Sequence, residues 1–313
     1  MNKYLFKNKF LLMLYLIGAI VTYLVVVGIY NLHSLITEVA EKMQYSRAME
    51  VILYSIGVLV ILFVVLIIIT IIQRIILSRV SYSIREDIFN KIYDMKLSKF
   101  ADKDTAYYTS MIVNDVTILE DDYFNNIIEF IGDSIQLIVT FFAIILAGWQ
   151  YALVVALFAI FSAIQPFILK NKLARDGVAV SKELEGYTAA TNEYISGFEN
   201  IKCSGNTSIF NNMYANKVDK LEGANYKLWS TKVLNGALMM LAVYVLKIGS
   251  EIFFTYNAVI GALEIATVSL LFGLANNVGN PIASLLSYLE PINSSKDVLK
   301  KLEEFLSMDV SER

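Results

Sequence analysis

Long runs without charge alternate along this chain with stretches in which charge and helical periodicity return. Phe10–Tyr30 and Val51–Gln73 contain no charged residue, and Ser134–Leu169 is uncharged throughout. About 20 apolar residues cross the roughly 30 Å of a bilayer core as a helix, so the first two runs are one span each and the third is most of two. Gly148-Trp149-Gln150 is the predicted turn between those two. Further apolar runs follow at Lys232–Tyr256 and Val259–Leu289, joined by a very short link at Asn257–Gly261. The pattern predicts an all-α membrane protein with six transmembrane helices, at about 10–31, 51–78, 127–148, 150–170, 232–256 and 259–289. The first run, preceded by Lys3, Lys7 and Lys9, exceeds the about 7–15 apolar residues of a cleaved signal peptide.

The polar stretches are helical too. In the first excursion, Ser81–Asn126, residues Val80, Ile84, Ile88, Ile92 and Met95 recur at three or four, the stripe of an amphipathic helix continuing from the second span. The pattern breaks at Ala101–Thr105 and resumes from Tyr107, so this chain segment goes out, turns and returns. At 1.5 Å per residue each limb reaches roughly 25–30 Å beyond the bilayer. The second excursion, Asn171 to about Thr231, repeats the design with Leu184, Tyr187, Tyr194, Ile195, Phe198 and Ile201 at helical spacing and breaks marked by Gly186, Gly197 and Gly205. A charged amphipathic helix, NSSKDVLKKLEEFL, is expected in 291–313, with Ser294 or Ser295 as N-cap.

At 57% hydrophobic residues the chain lies above the about 45–50% of soluble proteins. A net charge of −3 gives no basic surface for nucleic acid. One cysteine, Cys203, and one histidine, His33, exclude an intramolecular disulfide and leave no metal-ligand cluster. Cys203 is expected as a small buried residue and His33 as a polar residue in a short loop. Lysine and arginine concentrate in the N-terminal segment 1–9, both excursions and the tail, while the opposite links hold only Lys42 and Arg47. Both termini and both excursions are therefore expected in the cytoplasm, in a plasma or inner membrane.

The segment SKFADKDTAYYTSMIVNDV, closing on Asp115-Val116, the segment EYISGFENIKCSGN with Gly197, Ile201 and Lys202, and a last apolar helix carrying Pro281 together resemble the transmembrane domain of an ABC transporter of the type I exporter fold. Ala106 and Ala266 stand where that family commonly has glycine. The resemblance covers nearly the whole chain, residues 10–290 forming the transmembrane domain and 291–313 leading to a nucleotide-binding domain. It implies a dimer with a second copy or a homologous half-transporter, alternating access, and coupling helices at the excursion turns. The first is expected at Phe100–Tyr108, through Phe100, Asp102, Asp104, Thr105, Tyr107 and Tyr108. The second is expected at Glu185–Ile195, through Glu185, Tyr187, Thr191, Asn192 and Tyr194.

No G-x-x-x-x-G-K-[ST] phosphate loop occurs in the sequence. ATP and Mg are therefore expected in a nucleotide-binding domain beyond Arg313 or on a partner chain, and no catalytic residue, cofactor or metal is assigned to this chain. Ionisable groups in spans are costly and face a cavity or partner. Glu129, Asp133, Gln136, Lys247, Glu251, Ser269, Asn276 and Asn280 are the candidate pathway residues. The competing readings are hydrated carboxylates near the interfaces for Glu129 and Glu264, a self-neutralising pair for Lys247 and Glu251, and helix packing for the strip Ser269, Asn276, Asn277, Asn280. The function implied is export of an amphipathic compound, peptide or lipid; the alternative is a non-pumping scaffold, channel or regulator.

Overall fold

The computed structural model describes residues 2–308, so the end of the expected tail lies outside the described residues. No strand occurs among them. A short helix α1 (Asn2–Lys7) leads into α2 (Lys9–Glu41) and α3 (Tyr45–Tyr93). After α4 (Leu97–Phe100) come α5 (Thr105–Ser110), α6 (Val116–Ile118) and α7 (Asn126–Ala147), linked by wider π-helical turns at Met111–Asp115 and Leu119–Asn125. Then follow α8 (Trp149–Ile168), α9 (Lys170–Ser196), α10 (Phe198–Cys203), α11 (Thr207–Val259), α12 (Ile265–Ser294) and α13 (Lys296–Ser307).

Among the described residues, five helical runs are long and apolar enough to cross a membrane: Lys9–Glu41, Tyr45–Tyr93, Thr105–Ala147, Trp149–Ser196 and Thr207–Val259. Most of their apolar side chains face outwards, as in Leu53, Leu59, Phe63, Phe142 and Leu157. That surface is what hydrocarbon solvates, since every backbone polar group is satisfied inside the helix. α12 is not among the five, because Asn276, Asn277 and Asn280 dilute its apolar run.

Several boundaries differ from expectation. The polar link at 31–50 is almost all helix, with α2 continuing to Glu41 and the reversal confined to Lys42–Gln44, where Met43 adopts φ 50°. Polar residues do not stop a helix when i,i+4 contacts such as Lys42 with Glu38, 2.7 Å, support its last turn. His33 accordingly lies in a helix, not a loop. The link before α12 falls at 260–264, where Gly261 supplies φ +74°. Ser295 holds the N-cap position of α13, as expected, but without a side-chain capping bond; the Ser294 and Ser295 hydroxyls donate back to the carbonyls of Pro291 and Ile292, at 3.0 and 3.1 Å. Both serines thus close the end of α12.

The chain divides into two compact units, residues 1–159 with 246–313, and residues 160–245. The first unit holds two buried apolar clusters. One gathers Tyr4, Ile76, Val80, Ile84, Ile88, Tyr108, Met111, Leu119, Phe124, Leu302 and Phe305, so the stripe predicted on α3 is the inner face of the first excursion. α1 is pinned to it by the Tyr4 hydroxyl, which donates to Asp87 at 2.6 Å. Burial, joined by that carboxylate, raises the Tyr4 pKa above its ordinary value. The other cluster packs Ile144, Val155, Leu246, Phe254, Leu271, Leu274 and Val278.

The second unit is a helical hairpin. Gln165 donates to Asn235 at 3.2 and 3.3 Å, Ser162 to the Ala242 carbonyl at 2.8 Å, and Thr231 to Asp176 at 2.7 Å. Two helices share one contact face, which is why much of the predicted apolar stripe, including Leu184, Ile195 and Phe198, stays exposed.

Candidate functional site

Polar side chains converge along one face of α7. Glu129, Asp133, Gln136 and Thr140 follow at spacings of four, three and four, so they form one row. Gln73 of α3 donates to Glu129 at 2.7 Å and to Asn125 at 3.2 Å. Tyr288 of α12 donates to Asp133 at 3.1 Å. Gln136 donates to the side chain and backbone carbonyls of Asn277, at 2.9 and 3.1 Å, and Asn277 donates to Thr140 at 3.2 Å. From α2, Tyr15 reaches the Ile128 carbonyl at 3.3 Å. It passes so close to α7 that a Cβ on Gly132 would stand 2.9 Å from its hydroxyl. The hydrogen bonds described to both carboxylates come from neutral donors.

Among the sequence candidates, Glu129, Asp133 and Gln136 thus share one interhelical row. Asn276 is half-buried and donates to the Phe272 carbonyl of its own helix at 3.0 Å, Ser269 is half-buried, and Asn280 is exposed. On α11, Lys247 is half-buried and Glu251 exposed. Gln73, Tyr15, Tyr288 and Thr140 were missed. Single neutral polar residues inside apolar runs were the available signal, and a tyrosine there reads equally as an interfacial anchor.

The excursion turns form the second set. In the first, Asp104 caps α5 by accepting from the Tyr107 amide at 2.9 Å. Asp102, Asp104 and Thr105 are exposed, and Phe100 and Tyr107 half-buried. Tyr108 is only 5% exposed and stacks on Phe100 at 4.8 Å between centroids. Its ring is packed inside the arm, so a charge there would disrupt the arm rather than leave it intact.

In the second excursion the reversal lies later than expected. α9 runs unbroken to Ser196, and the chain turns through Gly197, the short helix α10 and Ser204–Asn206, with Gly205 at φ +71°. Glu185, Tyr187, Thr191, Asn192 and Tyr194 therefore belong to the outgoing limb. Tyr187 shares a hydrogen bond with Tyr214 at 2.8 Å, and Tyr194 packs edge-on to Phe210 and Tyr214. These rings fasten the limbs together. The tip instead exposes Ile195, Phe198 and Cys203, the last contrary to its expected burial.

A family model of the ABC transporter transmembrane region matches the chain over residues 10–281. The chain belongs to that family. No curated protein matches it. As an ABC transporter transmembrane domain of the type I exporter fold, it is an integral membrane protein, and such domains pair with a nucleotide-binding domain or a partner half. Among the described residues no group of three or more His, Cys, Asp or Glu could hold a metal ion.

Proposed function

We propose that this chain is the substrate-translocating part of an ATP-driven exporter, working as a dimer by alternating access. The observation that carries the reading is the pair of arms ending in short helices, α4 and α10, each with exposed side chains at its tip. Six spans are assigned, with α12 as the sixth and both termini and both arms in the cytoplasm. ATP and Mg act in a nucleotide-binding domain in cis or on a partner. That domain meets the segment 97–107 and α10, and its closure draws the arms together and reverses the cavity.

The dimer is supported by the apolar residues left uncovered on the second unit's limbs, among them Val178 at 70% exposure and Tyr226 at 68%. Both lie on stretches carrying lysine and acidic residues, where water rather than lipid is the expected solvent. The row on α7 supports an amphipathic substrate, and its two carboxylates favour one bearing positive charge over an anionic one.

The test is Phe198→Asp in the complete transporter in proteoliposomes. Phe198 is 59% exposed, so assembly and thermal stability are expected to be retained. Transport per ATP hydrolysed is expected to fall at least about tenfold, the loss of roughly 1.4 kcal/mol of coupling. Unchanged coupling would refute α10 as the contact.

A further inference from the structure

The final helix is built into the first arm. α13 presents Val298, Leu299, Leu302, Phe305 and Leu306 at helical spacing, and all five pack into the arm's buried cluster. Leu302 is fully buried and Phe305 is 4% exposed. The arm itself consists of the end of α3 and the returning limb 105–125. These are clasped by Arg74 and Ser81 on Glu120, at 2.8 and 2.6 Å, and by Arg85 on the Ile112 carbonyl at 3.3 Å and Thr117 at 3.2 Å.

α13 is fastened to both limbs. Lys301 meets Asp115 of the returning limb at 2.5 Å, and its ammonium also lies 5.0 Å from the Tyr107 ring centroid. Lys91 of α3 donates to the Met308 carbonyl, closing the last turn of α13. A row of rings continues to the tip, with Phe100 stacked on Tyr108 and Tyr108 6.3 Å from Phe305. Asp115 is 8% exposed, and a carboxylate so buried is costly without a counter-ion. Lys301 supplies one, and its own position is thereby set.

We propose that α13 is a strut that moves as one body with the first turn, and that Lys301 is the positioning residue that sets it through Asp115. This rests on the reading above only for what lies beyond the strut. A nucleotide-binding domain attached there moves its own chain's first turn through a packed connection, whereas α10 is driven by surface contact alone. Motion of the two turns then has different origins, one carried within the chain and one delivered from outside it.

The test uses the complete transporter with Cys203→Ser, spin-labelled at Thr105 and Asp297, both exposed. A single narrow distance distribution is expected, with no shift between the nucleotide-free and ATP–vanadate states. Labels at Asn200 on two copies are expected to shift over the same step. Without nucleotide, Lys301→Gln and Asp115→Asn are expected to lose the single peak. Lys301→Arg keeps it, and the exchanged pair Lys301→Asp with Asp115→Lys restores it, the pattern of a charge pair that sets position and not of a lysine held by the packing of its alkyl chain. A nucleotide-dependent shift across the strut in the parent overturns the proposal, and so does an undisturbed peak in both neutral variants. If the Asn200 distance ignores ATP, the transport reading fails, while the strut is still decided by the variants read without nucleotide.

Discussion

Gly273→Ala tests the close crossing of α2 and α12. A Cβ built on Gly273 would lie 2.2 Å from Cδ1, 2.8 Å from Cγ and 2.9 Å from Cε1 of Tyr30. Carbon atoms rest about 3.5–4.0 Å apart, so the ring must retreat by about 1.5 Å. Turning the ring cannot achieve this, because Cγ lies on the rotation axis; either χ1 changes or the helices separate. Overpacking of this kind costs about 1–3 kcal/mol. Alanine recovers about 1 kcal/mol over glycine in a helix interior, an opposing effect too small to win against contact with three ring atoms. Net destabilisation of up to about 2 kcal/mol is expected, read by equilibrium unfolding in mixed detergent micelles. In the Tyr30→Ala background the same substitution is expected to become neutral or stabilising, giving a coupling energy of at least about 1 kcal/mol in the double-mutant cycle. If Gly273→Ala stabilises the parent by the propensity gain alone, the crossing is looser than described and the argument fails.

Replacing Gln136 by Leu removes its bonds to Asn277 and is expected to cost about 0.6 kcal/mol, with about 1.7 kcal/mol as the ceiling, measured in a cycle with Asn277→Leu. Tyr108→Asp is expected to lose about 3–5 kcal/mol of ring packing and to open the α4–α5 turn to limited proteolysis, whereas protection equal to the parent would contradict the ring row. With cysteines at Lys42 and Asn257, a membrane-impermeant maleimide added to intact cells is expected to label both and to leave Cys203 untouched. In inverted vesicles the exposed Cys203 should react, and labelling from outside would reverse the proposed orientation.

The first arm was legible because burial there follows helical spacing: Val80, Ile84 and Ile88 were placed on the inner face by periodicity alone, and all three are at most 1% exposed. The second arm misled the same reasoning. Tyr187 and Tyr194 do pack inwards, yet Ile195 and Phe198, in the same apolar pattern, are exposed at the tip. Periodicity reports an apolar stripe without saying what covers it, and a hairpin covers only part. The resemblance set the second turn at Glu185–Ile195, among the tyrosines, whereas the chain reverses at Gly197–Asn206; of the three glycines marked as breaks, Gly197 and Gly205 frame the reversal, while α9 runs through Gly186, since glycine within a helix costs only about 1 kcal/mol. The docking of α13 needed tertiary information altogether, because Lys301 and Asp115 are 186 residues apart.

α12 shows the same limit at the level of membrane insertion. Counted residue by residue, each asparagine carries the full cost of a polar amide in hydrocarbon, and the helix falls outside the apolar class. In the folded chain the Asn276 amide donates to Phe272 one turn back, and Asn277 exchanges hydrogen bonds with Gln136 and Thr140 of α7. Gly273, Ala275 and Gly279, all buried, let neighbouring helices come close enough to do this. The polar strip that lowers α12's hydropathy is therefore partly consumed in joining α12 to α7. Asn280 stays exposed on the same helix, and under the proposed transport reading Asn280→Leu is expected to change transport selectivity while leaving stability within about 0.5 kcal/mol of the parent. Unfolding in micelles beside transport assays of neutral and cationic amphipaths would check this, and a stability loss above about 1 kcal/mol would place Asn280 in the packing set instead.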